Sequence, residues 1–210
     1  MSQTFGAKFD PKWVGDVSLE AALTYLQAVQ TMLKQNRRRG WAALNDLFHA
    51  GAAPDQPLHG RYRGELLALD VAPGLTQLAQ KITDWWMPWQ GKLFDATQTC
   101  GANLFARPSL PLARCFWPCY RHFVYDNAQT YRAFTFRTWV GAGHVDPDLQ
   151  VLKIDYNLPE NPRPTIRRVL DEVVQVAEGL YLGKAHLHWW WGQWQTVAYF
   201  TLGRPSDSAL

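Results

Sequence analysis

Two histidines and an acidic pair on predicted strands are the side chains of this sequence best suited to chemistry. In YLGKAHLHWWW, strand alternation puts His186 and His188 on one face about 7 Å apart. Such a pair can supply an acid and a base, and Glu172 on a neighbouring predicted strand is the candidate carboxylate partner. That combination would suit proton transfer by an isomerase, cyclase or hydratase. The alternative is a solvated outer strand face that carries Lys and His.

The acidic pair consists of Asp171 and Glu172, which are adjacent on a strand and must point to opposite faces. One of them is therefore expected to face the interior. Burial would raise the pKa of that carboxyl, which suits a general acid or base, unless a cation pairs with it. Arg132 and Arg167 are candidate cations. A lipid-binding protein would use such an Arg for a ligand carboxylate, whereas a structural protein would use it for a buried salt bridge.

The elements that carry these residues are predicted to be antiparallel strands. From residue 151 onward, runs rich in Val, Leu, Tyr and Trp alternate with turns that contain Gly, Pro or Asn. Earlier, LHGRYRGELL has period two, with Tyr62 on the inner face between Gly60 and Gly64. Closing such strands into a barrel or sandwich removes unpaired edges and encloses apolar side chains.

Two helices are predicted before the strands. Ser18 can cap the first, whose apolar residues recur every three or four positions as far as Leu33. The run 37–39, three arginines, is expected to sit at the negative end of that helix. The second helix is predicted over 41–49 and a further helical pattern follows at 75–82. We expect the segment 1–57 to cover the barrel of residues 58–203, followed by a tail at 204–210.

Composition narrows the function classes. The 210 residues are 47% hydrophobic with a net charge of +3, which indicates one domain and no dedicated nucleic-acid binding face. No apolar run approaches the roughly 20 residues of a membrane span, so no integral membrane association is expected. The lack of a signal-peptide core and the three cysteines predict a cytoplasmic protein. The segment that carries Cys115, Cys119 and His122 is predicted to be a strand that contains a proline. It does not predict a metal site, because a structural zinc takes four ligands.

Aromatic residues supply the candidate walls of a pocket. Tryptophan occurs eleven times, and several copies cluster where a barrel mouth or a partner surface would be. With the acidic pair and its cations as the polar anchor, the residues predicted to contact a ligand are the following: Tyr62, Trp89, Phe134, Phe136, Trp190, Arg132, Arg167 and Asp171.

Several short motifs resemble the GXWXG-type families, small bacterial and fungal proteins of largely unknown function. They are GRYRG at 60–64, WQGKLF at 89–94, VLKIDYNLPENP at 151–162, and DE at 171–172 followed by YLGKA at 181–185. The central Trp of the family motif is Tyr62 here. The resemblance implies a lipocalin-like or fatty-acid-binding-protein-like β barrel.

The sequence therefore predicts a mainly β protein, a single antiparallel lipocalin-like barrel with two covering N-terminal helices. The leading functional hypothesis is a carrier or sensor of a small hydrophobic or amphipathic molecule. The alternatives are an enzyme that uses His186 or His188 with Glu172, and a protein whose tryptophans dock a partner. The sequence names no cofactor, and a homodimer stays open.

Overall fold

Two helices precede the sheet in the computed structural model, which describes residues 17–70, 89–96 and 99–204. Helix α1 (Leu19–Gln35) begins as predicted at Ser18, whose side chain accepts a hydrogen bond from the backbone N of Ala21 at 3.2 Å. Helix α2 spans Arg37–Ala50 and is capped by Asn36. The arginine run therefore starts α2, and its predicted place at the end of α1 is wrong. The physical reason is the extended backbone of Asn36, which ends one helix and caps the next.

Most of the remaining described residues form an antiparallel β barrel. Its strands are β1 (Gly60–Leu69), β2 (Trp89–Phe94), β3 (Cys100–Ala106), β4 (Val124–Tyr125), β5 (Thr130–Ala142), β6 (Gln150–Asp155), β7 (Val169–Ala177), β8 (Leu180–His188) and β9 (Trp194–Gly203). The pairings β1–β9 and β3–β5 close eight of them into a ring, while the short β4 pairs with β5. The predicted fold, a single mainly β barrel with two N-terminal helices, is confirmed.

The described residues form two apolar cores, one inside the barrel and one between its wall and the helices. Aromatic residues such as Tyr62 and Phe136 fill part of the barrel interior. Leu44 and Phe48 of α2 pack with Leu182 of β8 in the second core. Strands β7 and β8 are buried on both faces because the helices cover their outer side.

The segment around Cys115 and Cys119 is not the strand that its sequence suggested. Helix α3 (Leu110–Phe116) occupies its first part, with Pro111 in the first turn, where proline needs no backbone donor. Both cysteines are exposed. The helical pattern at 75–82 lies outside the described residues, and no described helix is long and apolar enough to span a bilayer.

Candidate functional site

A cavity of about 530 Å³ lies inside the barrel. Apolar side chains form most of its wall: Leu66, Leu69, Phe105, Phe134, Ile166, Val169, Ala185, Ala198 and Phe200. Three exposed polar residues also border it: Arg63, Glu65 and Gln90. The cavity is thus an apolar space with access to polar groups at the protein surface.

Gly64 allows the indole of Trp89 to lie against strand β1 at the cavity wall. A Cβ atom at Gly64 would stand 2.4 Å from the Trp89 ring, closer than real side chains approach. Gly64 thus provides a close approach of a neighbouring side chain to the strand backbone.

Four polar residues form the cavity floor, which we define as Lys92, Asn103, Tyr156 and Asp171. Lys92 Nζ donates to Asp171 Oδ2 at 2.8 Å, to Asn103 Oδ1 at 3.0 Å and to the Tyr156 hydroxyl. Tyr156 also donates to Asp171 Oδ2 at 3.0 Å. All four side chains are buried, with Lys92 only 1% exposed. The floor thus contains a buried Lys92–Asp171 ion pair that is hydrogen-bonded to Asn103 and Tyr156.

Aromatic rings surround the ammonium group of Lys92. Its Nζ lies 5.1–5.4 Å from the ring centroids of Trp89, Phe136, Tyr156 and Phe200. Their π faces favour the cation. Burial nevertheless lowers the pKa of Lys92, and the charge and hydrogen bond of Asp171 oppose that shift. Burial and the Asp171 charge raise the pKa of Tyr156 well above its ordinary value, so its hydroxyl stays protonated.

A β-bulge lies where Asn103 and Phe134 line the cavity. The pairing of β3 with β5 shifts between Ala102 and Asn103, which leaves Phe134 as the extra residue. Phe134 has a φ of 55°, a left-handed conformation that is unfavourable for a non-glycine residue. Two hydrogen bonds hold it: its N donates to the Tyr120 hydroxyl at 2.7 Å, and its carbonyl accepts from Asn103 Nδ2 at 3.3 Å.

The predicted pair His186 and Glu172 forms, but on the outer face of the barrel wall. His186 Nε2 lies 3.2 Å from Glu172 Oε2, and both side chains are fully buried. Because Asp171 faces the cavity, its neighbour Glu172 points away from it. An enzyme that uses this pair inside the barrel is therefore not supported by the geometry.

Other contacts show that the outer pair is part of the structure's polar packing. Glu172 Oε1 accepts from the backbone N of His144 at 2.6 Å and lies 3.4 Å from Lys153 Nζ, while Thr196 Oγ1 lies 3.0 Å from His186 Nδ1. Burial would raise the pKa of Glu172, but the hydrogen bond and charge of His186, with His144 and Lys153, lower it overall.

The solvated outer face that was the alternative for His186 and His188 is also not what the structure shows. His186 is fully buried, and the ring of His188 stacks on Trp194 with centroids 4.7 Å apart. Lys184 on the same face is 2% exposed and donates to Asp146 Oδ2 at 2.6 Å. Helices and loops pack over this wall, which strand alternation alone does not reveal.

Three of the predicted ligand contacts line the cavity: Trp89, Phe134 and Asp171. Tyr62 and Phe136 lie instead in the packed barrel interior, both fully buried. Trp190 is 72% exposed beyond the end of β8, so its predicted place in a pocket wall is wrong.

The two predicted arginine anchors are engaged elsewhere. Arg132 Nε lies 3.5 Å from Asp126 Oδ1, and Arg167 Nε donates to Asn157 Oδ1 at 3.1 Å. Neither arginine borders the cavity. The side chain of Arg132 projects from the other face of β5, and Arg167 belongs to a short 3₁₀ turn.

Sequence reasoning missed Lys92, Asn103 and Tyr156. A signal for Lys92 was present: in WQGKLF it shares the inward face with Phe94, where a lysine is unusual. Nothing in the local pattern of Asn103 or Tyr156 distinguished them, because a bulge orients the first and the second follows the end of β6.

Comparisons with known proteins leave the function open. No protein-family model and no curated protein matches the chain. A solved structure described as the crystal structure of a protein from Thermomonospora curvata aligns with 14% sequence identity, covering 87% of this chain and 99% of the other, with a TM-score of 0.46. That likeness carries no argument about function, and membership of the GXWXG-type families stays a prediction.

Proposed function

We propose that this protein binds a small, largely apolar molecule in the barrel cavity, as a carrier or sensor. The observation that supports this function is the cavity of about 530 Å³, with apolar walls and one compact polar floor. Small-molecule sites commonly have volumes of about 300–1,000 Å³ and combine apolar lining with a few placed polar groups.

The chemistry of the floor supports the same proposal. A buried Lys–Asp pair is weak as a stabilising device, since apolar residues of similar volume are often as good or better. Lys92 and Asp171 nevertheless line the cavity, at the border between it and the aromatic core. That position favours a role in fixing the polar end of a ligand.

The direct test is native mass spectrometry of the protein purified from its own cells, followed by denaturing extraction of whatever co-purifies. We expect one small molecule per chain. Ala185 lines the cavity, so Ala185→Phe should reduce the bound fraction by filling space. Val140→Phe is the matched control, because Val140 is 52% exposed.

Two results together would contradict the proposal. The first is a wild-type protein that co-purifies with nothing and gives no calorimetric signal with apolar probes such as 2-methylnaphthalene. The second is an Ala185→Phe variant indistinguishable in binding from Val140→Phe.

An exposed tryptophan cluster favours a second candidate function, contact with a partner. Trp190 and Trp191 are 72% and 56% exposed, and the rings of Trp189 and Trp191 stack at 4.7 Å. Exposed aromatic groups of this kind are typical of interfaces. A second copy of the chain is the partner to test first, by sedimentation of Trp190→Ala/Trp191→Ala. The control is Trp139→Ala, which removes a tryptophan 42% exposed on β5.

A further inference from the structure

The donors of the cavity floor are already used within the protein. The ammonium group of Lys92 has three hydrogens, and three acceptors surround it: Asp171 Oδ2, Asn103 Oδ1 and the Tyr156 hydroxyl. A ligand that needs a hydrogen bond from Lys92 would have to break one of these contacts.

The same holds for the other N–H and O–H groups of the floor. Asn103 Nδ2 donates to the Phe134 carbonyl at 3.3 Å and to the Tyr156 hydroxyl at 3.0 Å. Tyr156 has one hydrogen, which it can give to Asp171 Oδ2 at 3.0 Å or to Asn103 Oδ1 at 3.3 Å. Trp89 lies beside the floor, and its Nε1 is also used, because it donates to Asn103 Oδ1 at 3.0 Å.

One acceptor remains. Both hydrogen bonds to the Asp171 side chain use Oδ2, and within residues 17–70, 89–96 and 99–204 no group donates to Oδ1. The side chain is 6% exposed and borders the cavity. A carboxylate oxygen at the cavity wall that no described group satisfies can accept a hydrogen bond from a ligand, and a hydrogen bond to a charged acceptor is favourable.

The charges of the floor also restrict the ligand. Lys92 and Asp171 neutralise each other at 2.8 Å. A ligand carboxylate would place a negative oxygen against Asp171 Oδ1, and a ligand cation would add a second positive charge beside Lys92. The arginines that the sequence offered for a ligand carboxylate bind Asp126 and Asn157 instead.

We infer that the ligand is a neutral molecule with one hydrogen-bond donor, an alcohol or an aromatic N–H compound, which donates to Asp171 Oδ1 while its apolar body fills the cavity. This inference rests on the proposed function. It gives that function a substrate class and makes Asp171 the specificity-determining residue.

A matched set of probes tests the inference on the unmodified protein. The set is 2-naphthol, 2-methoxynaphthalene, 2-methylnaphthalene and 2-naphthoate, which share one ring system and differ in the polar group. Titration calorimetry at neutral pH should show 2-naphthol binding about ten- to a hundredfold tighter than 2-methoxynaphthalene, as expected for one hydrogen bond to a charged acceptor. The carboxylate should bind most weakly.

A substitution at the acceptor should remove this preference. In Asp171→Asn the amide oxygen can still accept from Lys92 and Tyr156, while its NH₂ group replaces Oδ1 as a donor. Because the oxygens of 2-naphthol and 2-methoxynaphthalene can both accept from that NH₂ group, we expect the two probes to bind with similar affinity. Because the probe series on wild-type protein needs no substitution, the test holds even where the variant does not fold.

The outcomes separate the two proposals. Equal binding of 2-naphthol and 2-methoxynaphthalene, or tightest binding of 2-naphthoate, would overturn the donor inference and leave cavity binding intact. Failure of all four probes to bind would count instead against the proposed function.

Discussion

Breaking the Lys92–Asp171 pair from one side should destabilise the protein strongly, whereas replacing both residues should not. Lys92→Met leaves Asp171 buried beside only the hydroxyl of Tyr156, with no cation to balance its charge. Removing one partner of a buried pair typically costs about 3–5 kcal/mol. Lys92 and Asp171 are 2% and 6% exposed as side chains, so the full range applies.

The double variant Lys92→Met/Asp171→Leu tests the reasoning behind that number. It removes both charges and supplies apolar groups of similar size, so we expect a stability within about 1 kcal/mol of wild type or higher. The coupling energy from the double-mutant cycle is then at least about 3 kcal/mol.

The assay is urea unfolding followed by tryptophan fluorescence, with the m-value checked for each variant. Lys153→Met is the matched control: Lys153 lies 3.4 Å from Glu172, which keeps His186 and the His144 backbone N as partners. That control should lose less stability than Lys92→Met, because Glu172 keeps two hydrogen-bond partners. The buried charge pair is refuted if Lys92→Met loses no more free energy of unfolding than Lys153→Met. It is also refuted if the effects of Lys92→Met and Asp171→Leu simply add in the double variant.

Three further predictions concern pH and packing. The pKa of Glu172 is lowered from 4.5, so the stabilisation by its carboxylate is present above pH 4.5 and lost as the pH falls through the lowered pKa. In Glu172→Gln the free energy of unfolding should therefore fall less steeply towards low pH, as measured by urea unfolding from pH 3 to 7. Burial raises the pKa of Tyr181 from 10.0 to about 12, so the contribution of this group to stability should fall by up to about 1.4 kcal/mol per pH unit between pH 10 and pH 12. Tyr181→Phe should therefore show a shallower alkaline decline. A Cβ at Gly183 would lie 2.2 Å from the Phe200 ring, so Gly183→Ala should lower the free energy of unfolding by about 1–3 kcal/mol and narrow the cavity. Gly203→Ala is the control: a Cβ there meets nothing within 4 Å, so thermal unfolding should show a smaller loss of stability. The first argument is contradicted if wild type and Glu172→Gln lose stability equally towards low pH, and the second if wild type and Tyr181→Phe do so towards high pH. Equal losses of stability in Gly183→Ala and Gly203→Ala would contradict the third.

The sequence predicted the architecture well because its signals are local. The helix begins at Ser18, where a side-chain cap and an apolar stripe coincide. Alternating apolar residues with turn residues between them mark most of the strands, and closure follows from the need to pair edges. The segment near Cys115 failed because a short helix with proline in its first turn has no clear period.

The site was predicted only in part because its residues meet across long stretches of chain. Trp89, Phe134 and Asp171 line the cavity as expected, yet the partner of Asp171 is Lys92, 79 positions away. A predicted strand says that two neighbours face opposite ways. It does not say which of them faces in.

By itself, the sequence determined that Asp171 and Glu172 point to opposite sides of one strand, because backbone pleating depends only on local geometry. Tertiary structure decided that Asp171 meets the cavity while Glu172 meets His186 beneath the packing of the outer wall. Strand register and barrel closure make that choice, since one residue of slip would exchange the two faces. The same closure brings Lys92 to Asp171, a contact that depends on the pairing of distant strands.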